Sequence, residues 1–205
     1  MVLENKLGIN DSAQLRRQEE LLTKRRVKQM FETGQLNQFE VGTFKGLSEI
    51  HDYIFQDVYK FAGQMRSVNI AKDQFRFSPV VYLKVALANI DQMPQNNFDN
   101  IVEKYVEMNV AHPFREGNGR SMRIWLDLIF KKSLGKIIDW NAIDKDDYLM
   151  AMQRSPIKDI EIKHLLRHAL VDDLSKETFF KGVDASYNYE GYYEIKTEDL
   201  DGEFE

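Results

Sequence analysis

The sequence has no cysteine, so disulfides, thiolate nucleophiles and cysteine-ligated metals are excluded, and a cytoplasmic location is expected. Prolines are scarce: the four, at positions 79, 94, 113 and 156, each fall where a helical pattern starts or stops. No apolar run approaches the ~20 residues needed to cross a bilayer, and Met1-Val2-Leu3-Glu4-Asn5 lacks a signal-peptide pattern, so neither a membrane span nor a leader is expected. An excess of basic residues is also missing. The net charge is −5, which argues against direct contact with nucleic acid. What remains is an ordinary globular balance, 43% hydrophobic and 30% charged over 205 residues, enough chain to bury one real core.

Periodicity predicts an all-α fold interrupted by one small β-hairpin. Asp11 to Thr33 reads as a charged helix whose run Leu15 to Lys28 is a solvated face. Thr43 caps a second helix with the apolar stripe Leu47, Ile50, Ile54, Phe55, Val58 and Phe61. His51 beside it reads as a packed or surface histidine. Between Arg66 and Ser78, the alternating runs Ser67 to Ile70 and Phe75 to Phe77 flank the polar turn Lys72-Asp73-Gln74, a hairpin pattern. Pro79 opens a helix running to Met93, and Phe98 to Ala111 forms an amphipathic one. Ser121 to Leu134 is apolar nearly all round and should be buried. Further helices are expected over Trp140 to Gln153, entered at Asp144, and Ile157 to Leu170. The latter holds His164 and His168, but Leu165 stands where a zinc-protease helix has glutamate, so both read as surface histidines. Asp184 to Gly191 should form a helix of about two turns, and Glu194 to Glu205 a mobile acidic tail.

The chemistry concentrates in His112-Pro113-Phe114-Arg115-Glu116-Gly117-Asn118-Gly119-Arg120, followed by Arg123. Pro113 disfavours helix at His112, which places these residues in a loop between a helix end and the start of the buried helix. Gly117 and Gly119 permit unusual torsions, so successive N–H groups can converge on one oxyanion. The buried helix adds its positive N-terminal end. Arg120 and Arg123 share a face of its first turn, an unfavourable place for cations unless an anion neutralises them. A polyphosphate fits best. Glu116 is a hard oxygen ligand suited to the magnesium that accompanies nucleotides, and His112 is a candidate proton acceptor.

These residues resemble, at every defined position, the signature His-x-Phe-x-(Asp/Glu)-Gly-Asn-Gly-Arg-x-x-Arg of Fic-domain proteins. The resemblance runs from about Gly34 to Gly191. It implies transfer of AMP from ATP, with Mg2+, to a hydroxyl side chain of a target protein. Its residue roles are His112 as general base, Glu116 as metal ligand, and Phe114 as loop anchor. Gly117, Asn118 and Gly119 would serve the α-phosphate, Arg120 the β-phosphate and Arg123 the γ-phosphate. The hairpin corresponds to a target-binding flap, with Ile70 and Phe75 as the clamp and Lys72 reaching the nucleotide. Tyr148, Met152 and Ser155 fall near the expected adenine site. The intact Gly117-Asn118-Gly119-Arg120 favours AMP transfer over the phosphate transfer of Fic-like Doc kinases. Near the C-terminus, Ser186-x-x-x-Glu190-Gly191 resembles the inhibitory motif of the self-inhibited, class III type, so Glu190 is expected to hold the enzyme off. The implied organisation is an N-terminal helical extension (1–33), a Fic core (34–175), an inhibitory-helix region (176–193) and an acidic tail (194–205). Two alternatives stay open: the reverse, de-AMPylating reaction, and a nucleotide-binding regulator without turnover. By analogy the target would be a DNA gyrase or topoisomerase subunit, and the resemblance leaves room for a homo-oligomer.

Overall fold

The computed structural model describes residues 2–72 and 75–200, without the side chain of Lys72. Helix α1 (Ser12–Glu32) starts at Asp11, whose carboxylate accepts the Gln14 N–H at 2.8 Å. Helix α2 (Phe44–Phe55) starts at Thr43, whose hydroxyl accepts that of Gly46. Each side chain satisfies one N–H that has no carbonyl a turn behind it.

Strands β1 (Ala71–Lys72) and β2 (Phe75–Arg76) pair antiparallel, Ala71 against Arg76 and Lys72 against Phe75. This hairpin starts later than the sequence pattern suggested, because Ser67 to Ile70 are engaged elsewhere. Arg66 Nη1 donates to the Val68 carbonyl, and Asn69 Oδ1 accepts the Val80 N–H. The expected turn residues Asp73 and Gln74 lie outside the described residues.

Helices α3 (Val80–Gln92) and α4 (Phe98–Ala111) lead to α5 (Asn118–Leu134). Every residue of α5 from Arg120 to Phe130 is buried, and α2, α4 and α8 (Lys176–Tyr189) pack around it. Trp125, Leu126 and Ile129 are fully buried there, and burying an aliphatic or aromatic side chain of this size contributes about 1.5–3 kcal/mol.

The segment expected as one helix from Trp140 is split into a single 3-10 turn (Trp140–Ala142) and α6 (Lys145–Arg154). Asp144 divides them by accepting the N–H groups of Asp146 and Asp147. Helix α7 (Ile160–His168) is shorter than its pattern, since Leu170–Val171 (β4) pairs antiparallel with Ile137–Ile138 (β3). Helix α8 is fourteen residues long rather than two turns, because it is entered nine residues earlier, at Ser175, which accepts the Thr178 N–H.

The charged run of α1 and the C-terminal segment depart most from expectation. Glu19, Glu20 and Lys24 are buried, not solvated. Residues 191–200 lie along α1 as a strap. Arg16 donates to the Gly191 carbonyl, Glu20 accepts the N–H groups of Glu194 and Ile195, and Lys24 donates to the Ile195 carbonyl. Lys28 donates to the Glu198 and Leu200 carbonyls. On the other side Asp184 of α8 accepts the Thr197 N–H and hydroxyl and pairs with Lys24 at 3.0 Å. Thr197 is fully buried. Charged side chains are buried here because each finds a partner.

Candidate active site

Helix α4 ends at Ala111, and His112 takes a left-handed conformation (φ 47°, ψ 65°), the one non-glycine positive φ among the described residues. That backbone costs energy for a residue with a Cβ, and a buried arginine holds it. Arg66 donates through Nε to the His112 carbonyl (2.8 Å) and through Nη2 to those of Ala111 and Ser78, while its N–H donates to the Pro113 carbonyl. Arg66 thus ties the base of the flap to the start of the loop. The His112 ring stacks on Phe77, with centroids 3.7 Å apart. Its Nδ1 lies 3.2 Å from the Asn109 carbonyl. A carbonyl only accepts, so Nδ1 carries the proton of that bond and the lone pair of the neutral ring falls on Nε2.

Phe114 is fully buried, stacked on His51 at 3.8 Å. Asn118 closes the loop onto it: Oδ1 accepts the Phe114 N–H and Nδ2 donates to the Phe114 carbonyl. The Asn118 side chain is therefore committed to the loop. His51 is a buried support. Its Nδ1 accepts the Gly63 N–H, so Nε2 carries the proton and donates to the Glu116 carbonyl at 2.8 Å. Burial pushes its pKa down to about 3, keeping the ring neutral.

Gly117 is the N-cap of α5 at φ 75°, and a Cβ there would lie 2.3 Å from the Phe55 ring. Gly119 is different from its sequence reading. It has no positive φ and needs no special torsion; it is small because a Cβ would lie 2.3 Å from Glu190 Oε1. The Glu190 carboxylate therefore sits over the first turn of α5, where an anion is favoured.

The two arginines are both buried. Arg123 donates through Nη2 to Glu190 Oε1 (2.9 Å) and to the Ser186 carbonyl (2.8 Å). It also donates through Nε to the Ser186 hydroxyl (2.6 Å) and through Nη1 to the Tyr148 hydroxyl. Burial opposes its charge, but Tyr148 and Glu190 outweigh that and hold its pKa above the ordinary value. Arg120 donates through Nη2 to Glu19 Oε1 (2.7 Å) and to Glu116 Oε1 (3.3 Å). Glu190 is the C-cap of α8, and Gly191 follows with φ 85°, the usual left-handed stop.

These groups line one cavity of about 590 Å3, of a size suited to a nucleotide-sized ligand. His112, Glu116, Gly117, Asn118, Gly119, Arg120 and Arg123 meet at its floor, and Ile70 and Phe75 of the flap form a wall. Tyr148 and Met152 also line it, whereas Ser155 is buried with its hydroxyl on the Met152 carbonyl and takes no part. The Lys72 side chain lies outside the described residues. Glu116 is partly exposed to the cavity, at 42% of its side chain. His164 and His168 are exposed on α7, and among the described residues no group of three His, Cys, Asp or Glu could hold a metal ion.

A mostly helical scaffold presents a glycine-flanked helix N-terminus, two arginines and a histidine to one cavity, a set of groups with the chemistry of an anion site. Residues 43–130 match the model of the Fic/DOC family. It is 30% identical over 197 residues to protein adenylyltransferase VbhT of Bartonella schoenbuchensis, covering 90% of this chain but only 40% of the length of VbhT. It is 29% identical over 166 residues to the probable protein adenylyltransferase y4lH of Sinorhizobium fredii, covering 75% of this chain and 83% of that protein. Among solved structures, BepC of Bartonella tribocorum with bound AMPPNP superposes with a TM-score of 0.67 at 19% identity, over 84% of this chain and 94% of BepC. The ADP-bound Fic domain of a Bartonella quintana Bep effector gives 0.68 at 20% identity, over 87% and 94%. These two likenesses show the fold.

Proposed function

We propose that this protein is a protein adenylyltransferase: it transfers AMP from ATP to a hydroxyl side chain of a target protein, and Glu190 holds it off. The observation that carries the reading is the loop from His112 to Arg123, complete in its residues and folded around the α5 N-terminus with His112 on the cavity. The curated names of the relatives support the reaction.

In the reaction the target hydroxyl oxygen bonds to the α-phosphorus of ATP, the bond from that phosphorus to the β-phosphate bridge oxygen breaks, and pyrophosphate leaves. His112 Nε2 takes the hydroxyl proton, a role a neutral imidazole fills near neutrality. The N–H groups at the start of α5 and the helix dipole stabilise charge on the α-phosphate. Arg120 serves the β-phosphate and Arg123 the γ-phosphate. Ile70 and Phe75 hold the target segment along the flap. Glu116 fits magnesium, since it is a partly exposed carboxylate beside an anion site, and a nucleotide-bound magnesium needs only one or two protein carboxylates. When bound, magnesium would neutralise charge on the α- and β-phosphates.

Self-inhibition follows from competition. Glu190 occupies both the space over Gly119 and the Arg123 guanidinium, so a triphosphate must displace it or bind out of line. A small misplacement of reacting atoms costs about a hundredfold in rate. The target proposed by resemblance is a gyrase or topoisomerase subunit in the cytoplasm. The test is incubation of Glu190→Gly with lysate and ATP labelled at the α-phosphorus. Label is expected on a target protein, and adding His112→Ala should abolish it while ATP binding, read by calorimetry, persists. Transfer by His112→Ala at an undiminished rate would remove the proposed base.

A further inference from the structure

Helix α1 contributes one side chain to the floor of the site. Glu19 is 3% exposed, and its carboxylate accepts hydrogen bonds from the hydroxyls of Tyr59 (2.9 Å) and Tyr192 (3.1 Å) and from Arg120 Nη2 (2.7 Å). The donors come from three separate parts of the chain. A carboxylate this deep persists only if its lone pairs are met.

Arg120 is enclosed more tightly still. It is 1% exposed, with its guanidinium over the rings of Tyr192 (4.4 Å), Phe55 (4.9 Å) and Tyr187 (5.3 Å). Its Nε and Nη1 have no hydrogen-bond partner among the described residues. Nη2 alone is bonded, and two carboxylates share it, Glu19 at 2.7 Å and Glu116 at 3.3 Å. The shorter bond belongs to the carboxylate that two phenols hold still. The longer one belongs to Glu116, which faces the cavity.

We infer that Glu19 is a positioning residue that draws the Arg120 guanidinium away from Glu116 and so keeps the Glu116 carboxylate available to magnesium. This rests on the reading of Glu116 as the magnesium ligand. Without the Glu19 charge, a guanidinium sealed among three rings retains one neighbouring carboxylate, and a buried cation is costly unpaired. It therefore closes onto Glu116. Magnesium then competes with an internal cation for the same oxygens, and more magnesium is needed to reach the same occupancy.

The test titrates magnesium into the full chain with a fluorescent, non-hydrolysable ATP analogue and reads nucleotide polarisation rather than turnover. Glu19→Gln keeps the shape and removes the charge, and it should raise the magnesium midpoint about fivefold or more, a competition worth about 1 kcal/mol. Analogue affinity without magnesium should change far less. In an Arg120→Met background Glu19→Gln should have no further effect on the midpoint, whereas a merely structural Glu19 would shift it in both backgrounds. If Glu19→Gln does not fold, Glu19→Asp, charged but shorter, carries the same prediction in the same direction. A midpoint raised by Glu116→Gln and unmoved by the Glu19 variants overturns this inference alone. A midpoint unmoved by Glu116→Gln as well overturns the magnesium reading and the inference with it.

Discussion

Arg120 and Arg123 stand three residues apart on the first turn of α5, both are buried, and each meets a carboxylate from a distant part of the chain. The resemblance ends at the carboxylates. Glu19 comes from the middle of α1, is nearly sealed from solvent and has donors from three regions. Glu190 comes from the end of α8, keeps 24% of its side chain exposed and reaches over the floor of the cavity. An ion pair whose acid is locked by phenols in the core is a fixture. An ion pair whose acid caps a helix at a cavity rim can be exchanged for another anion. On the roles proposed above, two pairs of the same chemistry do opposite work: one maintains the site and the other occupies it.

The largest separation should appear in stability. Glu19→Ala takes from a buried guanidinium the nearer of its two carboxylates and leaves the Tyr59 and Tyr192 hydroxyls without their acceptor, and it should cost about 3–5 kcal/mol in urea unfolding. Glu190→Ala, which removes a partly exposed carboxylate from an arginine still bonded to Ser186 and Tyr148, should cost about 1 kcal/mol or less. Equal losses would erase the distinction between the two pairs.

Activity should separate them in the other direction. Glu190→Gly should raise AMP transfer at least tenfold, by the positional argument above. Arg123→Ala should give no such gain, because it removes the proposed γ-phosphate partner together with the brake. Initial rates at several ATP concentrations check both, and a gain in Arg123→Ala would break the assigned role.

Acid sensitivity should follow the rigid side. His51 supports Glu116 and has its pKa lowered to about 3 by burial, so the unfolded chain takes up a proton that the folded one refuses. Its contribution is complete above the unfolded value of ~6.5 and is lost as pH falls below it, about 1–2 kcal/mol between pH 7 and pH 5. Urea midpoints across that range should fall more steeply for the native protein than for His51→Gln. Parallel slopes would contradict a buried neutral His51.

The smallest effect concerns the strap. Arg16 donates to the Gly191 carbonyl at 3.3 Å in an exposed position, so Arg16→Ala should loosen the end of α8 only slightly. A bond of that kind contributes under about 1 kcal/mol, and transfer should rise about twofold. A tenfold rise, measured against Glu190→Gly, would mean that the strap controls the brake.

What the sequence showed depended on how local each feature is. The loop from His112 to Arg123 is continuous, and α5 is apolar on every face, so both could be read directly. The pair Ser186 and Glu190 fits one helix face whatever the helix length. The motif marks only the end of that helix, whose start is marked by Ser175 and the spacing of Phe179 and Val183. The two-residue strands β3 and β4 are too short to carry a pattern. Glu19, Arg66 and His51 escaped for another reason: each acts on residues tens of positions away, and a charge in a charged run looks solvated until its partners are known. Phe77, which stacks on His112, carried no more signal than any strand aromatic.

The most direct measurement gives the Glu190→Gly and native proteins ATP labelled at either the α- or the γ-phosphorus, in lysate, and counts label on protein. AMP transfer restrained by Glu190 predicts α-label on a target, γ-label only in pyrophosphate, and at least tenfold less incorporation by the native chain. Label from the γ-phosphorus on protein, or equal α-label from the two proteins, would contradict it.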